Sequence, residues 1–369
     1  MKKYPSLKIN LDAVKNNAKV LTDICNGYGI TVAGVVKFSD GNTLVAKAYA
    51  DGGCRQIAVS RAMHLEKIKK ELPDIETLLL RIPSPSDMED VARFADLSLN
   101  SDKDALTALN EKAAEVGTHP GVILMLDVGD LREGVDNIPD LVEMATFVER
   151  DLPNLRLRGV GTNHACLNGV LPTYENLSFL VEGAKKVEEA IGRKLDYISG
   201  GSSINTLLLK NGINEMPPEV NHLRLGGIIA NPINIRINRN LSFDGMREDS
   251  VSITAEIVEI HEKNSAPENS SAKNWAGEAI KFVDKGRRKR AILALGSQDI
   301  GNYTNLMPCD EGIEVVGGSS DHTIIDVTDS NKEWHWGDRI TFKVRYAAML
   351  YSFSGKHINI EFCNDDNVR

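Results

Sequence analysis

Eight times in its first two-thirds the chain alternates a short apolar run with a longer amphipathic stretch. The runs are Val32–Val36, Gln56–Val59, Thr77–Arg81, Leu97–Leu99, Val122–Asp127, Arg156–Gly161, Tyr197–Ser199 and His222–Leu225. Helical patterns such as Asp12–Cys25, Arg61–Glu71, Lys103–Val116, Pro139–Arg150 and Thr173–Ile191 accompany them. Strands buried on both faces read as continuous apolar runs, and parallel neighbours need a crossover, usually a helix. Eight such units predict a (β/α)8 TIM barrel over residues 8–237.

The pattern changes after Ile237. Strand-like runs at Val251–Ile260, Arg290–Leu295, Ile313–Val316, His322–Val327, Arg339–Val344 and His357–Phe362 follow without intervening helices. Residues 238–369 therefore predict a mostly antiparallel β domain, with residues 1–7 expected to pack on it. The polar stretch Glu262–Ser271 reads as an exposed hairpin extension, and Arg287–Arg290 as a solvated charge run.

A net charge of −9 argues against a nucleic-acid partner. Cys25, Cys54, Cys166, Cys309 and Cys363 are odd in number and contain no CxxC pair, so neither a disulfide framework nor a metal site is expected. The start, Met1–Pro5, has no signal-peptide pattern, and no apolar run would span a membrane. The expectation is a cytoplasmic protein with no membrane partner.

In an α/β barrel, chemistry gathers at the carboxyl ends of the strands. Lys37, Asp127, Asn163 and Arg224 fall at such ends. A lysine at the mouth of a buried strand can hold an aldehyde cofactor through its amine, because burial lowers its pKa. Ser199-Gly-Gly-Ser-Ser203 opens a helical stretch, Ile204–Lys210. Its glycines admit a phosphate to the backbone, and Ser202 and Ser203 supply hydroxyls. Arg224, in Asn221-His-Leu-Arg-Leu-Gly-Gly227, always carries its protons. Facing a cofactor ring nitrogen, it would keep that nitrogen unprotonated and the ring a weaker electron sink. Proton removal and return is then favoured over transamination. Arg132, beyond Asp127, can bind a carboxylate or phenolate oxygen. Each residue also has a plainer reading: a strand-ending lysine, a serine-capped turn, a structural ion pair, or a surface pair of Arg132 with Asp130 or Glu133.

Together these segments resemble the fold-type III pyridoxal phosphate enzymes of the alanine racemase superfamily. Leu7–Ala18 is similar to that family's opening strand and helix. By this resemblance Lys37 is the cofactor lysine, Arg132 the loop arginine and Arg224 the arginine at the ring nitrogen. Ser203 matches the phosphate serine, and Gly226 and Gly227 the second phosphate turn; Ser202 stands beside Ser203 as a further hydroxyl. Asn163 joins this cofactor-binding set. Val122–Gly134, Gly161–Cys166, Ile198–Ser203 and Val316–His322 resemble the ornithine racemase group. Tyr346 matches a late tyrosine that contacts phosphate. The resemblance implies a homodimer in which one subunit's β domain completes the other's site.

Two departures stand out. Ser297, in Leu295–Gly301, occupies the position of the family's catalytic tyrosine. That leaves the second acid/base among Asp321, His322, Asp299 and Cys309, with Asp321 and His322 preferred. Val35-Val-Lys-Phe-Ser39 also differs from the usual setting of the lysine. The resulting expectation is an isomerase: a pyridoxal 5'-phosphate-dependent amino-acid racemase acting by two-base proton transfer on ornithine or another basic amino acid. The alternatives are a metal-assisted aldolase for D-β-hydroxy amino acids and a non-catalytic carrier of the cofactor.

Overall fold

The computed structural model describes residues 3–270, 273, 277, 279 and 282–367. It divides into two compact units, Leu11–Glu248 and a second formed from residues 1–10 and 249–369. Strand β1 (Ser6–Asn10) belongs to the second unit. The first unit holds β2 (Thr31–Val35), β3 (Gln56–Val59), β4 (Glu76–Leu79), β5 (Leu97–Asn100), β6 (Gly121–Met125), β7 (Arg156–Gly161) and β8 (Tyr197–Ser202). A small hairpin of β9 (Leu209–Lys210) and β10 (Ile213–Asn214) precedes β11 (His222–Leu225).

The order β11-β2-β3-β4-β5-β6-β7-β8 closes into a parallel barrel. The expected (β/α)8 barrel is what the chain forms. Ala33, Val35, Ala58, Leu78, Leu97, Leu99, Ile123 and Met125 pack as one buried cluster of the barrel. Most of these alternate along their strands, as a pleated wall requires.

The surrounding helices follow local rules. In Tyr174–Ile191, buried Leu177, Leu180, Val181, Ala184 and Val187 recur at helical spacing. Thr173 and Asn176 form a capping box at its start, and Gly192 ends it at φ 73°. Two short helices, Thr43–Asp51 and Met88–Phe94, were not separated by periodicity. The predicted helical stretch Ile204–Lys210 is instead a 3-10 segment, Ser203–Leu208, followed by β9.

The division between units falls at Glu248/Asp249 rather than at 237/238. Asn17 explains it: its Oδ1 accepts from the Arg247 amide at 2.7 Å, and its Nδ2 donates to the Arg247 carbonyl at 2.9 Å. These bonds tie the segment beyond 237 back onto the first barrel helix, Leu11–Asn26.

The second unit contains β12 (Val251–Asn264), β13 (Arg287–Leu293), β14 (Leu306–Pro308), β15 (Glu314–Gly318), β16 (Thr323–Asp326), β17 (Arg339–Val344) and β18 (Asn359–Cys363). The path β14-β17-β12-β13-β16-β15 is antiparallel. β1 adds to it, antiparallel to β12 and parallel to β18. The antiparallel β domain is therefore present, with helical additions: Tyr346–Ser354 between β17 and β18, and a single turn, Ser297–Ile300, between β13 and β14. Residues 262–264 extend β12 against 287–289, and Ser271 lies outside the described residues, as do Met1 and Lys2. Arg288 is not solvated as expected of the charge run. It pairs with Asp326 at 2.9 Å and with Asp329, and these carboxylates hold its pKa above the ordinary value.

Candidate active site

The carboxyl ends of β11, β2, β7 and β8 gather most of the predicted residues. Lys37 lies two residues past the end of β2, at the first position of a 3-10 turn, Lys37–Ser39. The strand is buried, but Lys37 itself is exposed, contrary to the expectation of a buried lysine. Val36 fixes the turn: its carbonyl accepts from Ser39 Oγ at 3.0 Å and from the Ser39 amide at 3.2 Å. β11 pairs with β2, Arg224 lying opposite Ala33 and Leu225 opposite Gly34, which brings the two mouth positions onto neighbouring strands.

Arg224 is 3% exposed. Its guanidinium donates to Ser199 Oγ, to the Thr162 carbonyl at 2.6 Å and to Asn163 Oδ1 at 2.7 Å. All three acceptors are neutral. Burial lowers its pKa to about 10, against the raising effect of Glu133. Three of the five guanidinium protons are thus taken, and two remain for another acceptor.

Asn163 connects Arg224 to the loop beyond β6. Its amide donates to Glu133, which also pairs with Arg132, whose Nη2 donates at 2.6 Å. Arg132, Glu133, Asn163 and Arg224 therefore form one chain of contacts. Asp130 does not join it. It is 1% exposed, and its carboxylate accepts from the amides of Cys166, Leu167 and Asn168. Burial pushes its pKa up, but these amides outweigh that and hold it below the ordinary value. It anchors the loop after β7 and is not the partner of Arg132. His164 braces the same region, between Asn176 at 3.1 Å and Asn205 at 3.3 Å, and burial lowers its pKa.

The serine and glycine turns are stitched together. The Gly226 amide donates to Ser203 Oγ at 3.1 Å, which leaves the serine's own proton for an acceptor. A Cβ on Gly226 would lie 2.8 Å from Val35 Cβ, so the close approach of β11 to β2 needs glycine here. Ser202 ends β8 and Ser203 opens the 3-10 segment after it, and Gly226 and Gly227 follow β11, one strand away.

These features fit pyridoxal phosphate. Hydroxyl and amide groups of two adjacent turns are of the kind a phosphate needs, and a buried cation with two spare donors stands on the strand that leads into one of them. Thr162 Oγ1, beside Arg224, is buried with no hydrogen-bond partner among the described residues. Such an orphan is what a bound polar group satisfies.

The β unit holds the remaining candidates. Asp321 and His322 are exposed on the connection from β15 to β16. Asp321 accepts from Gln298 at 3.2 Å and from Ser320 at 2.8 Å, while the amides of Ser297 and Gln298 bond the carbonyls of Ser319 and Ser320. The structure therefore brings Ser297 and Asp321 into one loop cluster. Asp299 is committed to its turn, accepting from the Gly296 amide at 2.9 Å. Cys309 follows β14, and burial raises its pKa. Tyr346 begins the helix Tyr346–Ser354 and is half-buried. No group of three or more His, Cys, Asp or Glu able to hold a metal ion occurs among the described residues.

Sequence reasoning missed what lies beneath Arg224: Ser199, His222, Gln56 and Glu76. The signal was present, since His222 and Arg224 are two apart on one strand, and a pleat puts both on one face.

Residues 9–230 match the family described as alanine racemase, N-terminal domain. The ornithine racemase of Acetoanaerobium sticklandii is 36% identical over 97% of this chain and 99% of its own length. The lysine racemase of Thermotoga maritima is 34% identical over 96% of this chain and 97% of its own. An alanine racemase structure from Bacillus anthracis with bound L-Ala-P shares the fold at TM-score 0.73 and 18% identity, covering 100% of this chain and 97% of that one. With such matches along nearly its whole length, the chain belongs to the alanine racemase family and is a pyridoxal phosphate-dependent amino-acid racemase.

Proposed function

We propose that the substrate is a basic amino acid of the ornithine and lysine class, with Lys37 and a β-unit group as the two bases. The substrate class is supported by the two relatives, an ornithine and a lysine racemase. The site itself is supported chiefly by one observation: Arg224, buried and held only by neutral acceptors, on the strand beside the one that ends at Lys37.

Bound pyridoxal phosphate withdraws electrons from the substrate's α-carbon and so eases loss of its proton. Lys37 holds the cofactor between turnovers. Its released amine then takes or returns the α-proton on one face. Asp321 or His322 carries the proton on the other face. Ser202 and Ser203 would hold the phosphate through their hydroxyls and Gly227 through its backbone amide, with Gly226 bracing Ser203 and Tyr346 as a further contact. Arg224 would donate to the ring nitrogen and keep it unprotonated. Arg132 orients the substrate carboxylate or the phenolate oxygen, and Asn163 ties it through Glu133 to Arg224. A homodimer sharing its sites follows from the family resemblance. A cytoplasmic setting fits five free cysteines. Among the described residues no helix is long and apolar enough to cross a membrane.

The test is direct. The loaded enzyme is incubated in heavy water with separate L- and D-amino acids. Ornithine or lysine should gain α-deuterium and appear as the opposite enantiomer. Absence of exchange with every basic amino acid would overturn the substrate class.

A further inference from the structure

A column of polar side chains descends through the barrel beneath Arg224. Arg224 donates to Ser199 Oγ, which lies 2.7 Å from His222 Nδ1. His222 Nε2 lies 2.8 Å from Gln56 Oε1, and Gln56 Nε2 donates to Glu76. Glu76 also accepts from the Tyr197 hydroxyl at 3.1 Å and from Arg158 at 3.2 Å. Ser199 and His222 are 0% exposed and Gln56 1%.

The two ends fix the direction of every bond between them. A guanidinium only donates, and a carboxylate only accepts. Ser199 Oγ accepts a hydrogen bond from Arg224 and donates its own O–H to His222 Nδ1, the acceptor 2.7 Å away. That nitrogen is then unprotonated, and Nε2 carries the hydrogen toward Gln56 Oε1. Gln56 spends its N–H on Glu76. A second proton on His222 would set Nδ1–H against the serine hydroxyl and leave that hydroxyl without an acceptor. The titratable groups around His222 are Arg224 on its own strand, Tyr197 with ring centroids 5.0 Å apart, and Glu76 beyond Gln56.

Arg224 needs such support. The Thr162 carbonyl is backbone, and Asn163 is pinned by Glu133. Ser199 is a free rotor unless His222 holds its proton. We propose that His222 is a positioning residue for racemisation. As the neutral Nε2–H tautomer it fixes the Ser199 hydroxyl as an acceptor, and so fixes the aim of Arg224 at the ring nitrogen. The proposal rests on the reading that Arg224 meets that nitrogen.

Two measurements test it. In the loaded enzyme with 15N-labelled histidine, His222 should show a protonated Nε2 and a bare Nδ1 from about pH 8 to about pH 5. An Nδ1–H tautomer or an imidazolium in that range overturns the proposal. Ser199→Ala and His222→Leu holoenzymes are then compared with Arg224→Lys. Both column variants should shift the absorption of the bound cofactor and lower kcat about tenfold to a hundredfold with KM little changed. Ser199→Thr should restore both. If Arg224→Lys shifts the absorption while Ser199→Ala leaves absorption and kcat intact, the column does not position Arg224, and the reading of Arg224 survives. If Arg224→Lys also leaves the absorption intact, that reading fails and the proposal falls with it. Should His222→Leu not fold, Ser199→Ala and the tautomer decide the matter.

Discussion

Tyr49 Oη donates to the carbonyl of Gly226 at 3.0 Å, joining residues 177 apart in sequence. Tyr49 is fully buried on the helix Thr43–Asp51, just after the Lys37 turn. One hydroxyl thus braces the glycine turn after β11 from the element that follows β2. The ring needs room, and Gly34 provides it: a Cβ there would lie 2.6 Å from Tyr49 Cδ1.

Tyr49→Phe keeps the packing and removes this bond. A neutral hydrogen bond contributes about 1 kcal/mol, so cofactor affinity should fall roughly fivefold, read by titration of the cofactor-free protein. Unchanged affinity would mean that the turn is held without Tyr49.

Borohydride reduction of the loaded enzyme, followed by peptide mapping, should place the cofactor on Lys37. Lys37→Ala should abolish both the adduct and racemisation. An adduct on another lysine refutes the assignment of this strand end.

Replacing Arg224 by Glu removes the cation that keeps the ring nitrogen bare. Racemisation should slow by at least about tenfold, the scale of losing one hydrogen bond to a charged group. Transamination products should rise relative to inverted amino acid. A product ratio that does not move means that Arg224 does not face the ring.

Asp321→Asn and His322→Gln separate the two faces of the reaction. General acid–base partners contribute about 10²–10⁴-fold, and a base serving one face should depress α-proton exchange from one enantiomer far more than from the other. Equal loss from both enantiomers, or none, rejects the pair and returns attention to Asp299 and Cys309.

Burial, with Arg224 nearby, lowers the His222 pKa from 6.5 to about 3. The unfolded chain therefore binds a proton below pH 6.5 that the folded chain refuses down to about pH 3. Folding stability should fall as the pH is lowered across that window, by on the order of 5 kcal/mol from this group when fully expressed. Urea unfolding at several pH values should show a shallower slope for His222→Gln than for the native chain. Parallel slopes would refute the linkage.

The barrel was legible because its strands are buried on both faces, and each appears as an unbroken apolar run. Lys37, Arg224 and the serine and glycine turns were legible because they punctuate strand ends. The polar column was not. Gln56 opens the run Gln56–Val59 and reads as a strand boundary, although register places it beside Ala33 and Glu76 inside the wall. The helix Tyr346–Ser354 also escaped, since its apolar side chains lie all round with little polar face to set a period. Asp130 misled for a physical reason. A carboxylate beside Arg132 invites an ion pair, but three backbone amides outcompete it.

The column beneath Arg224 also bears on how this sequence can diverge. The apolar side of the barrel, Leu97, Leu99, Ile123 and Met125, can exchange one aliphatic shape for another in small steps. Gln56, Ser199, His222 and Glu76 cannot, because each orients the proton of the next. A change at one strands a buried polar atom at its neighbour. Descendants of this chain should therefore either inherit the four together or replace them together, and a graft of Arg224 and its strand into another barrel should fail unless Gln56 and Ser199 travel with it.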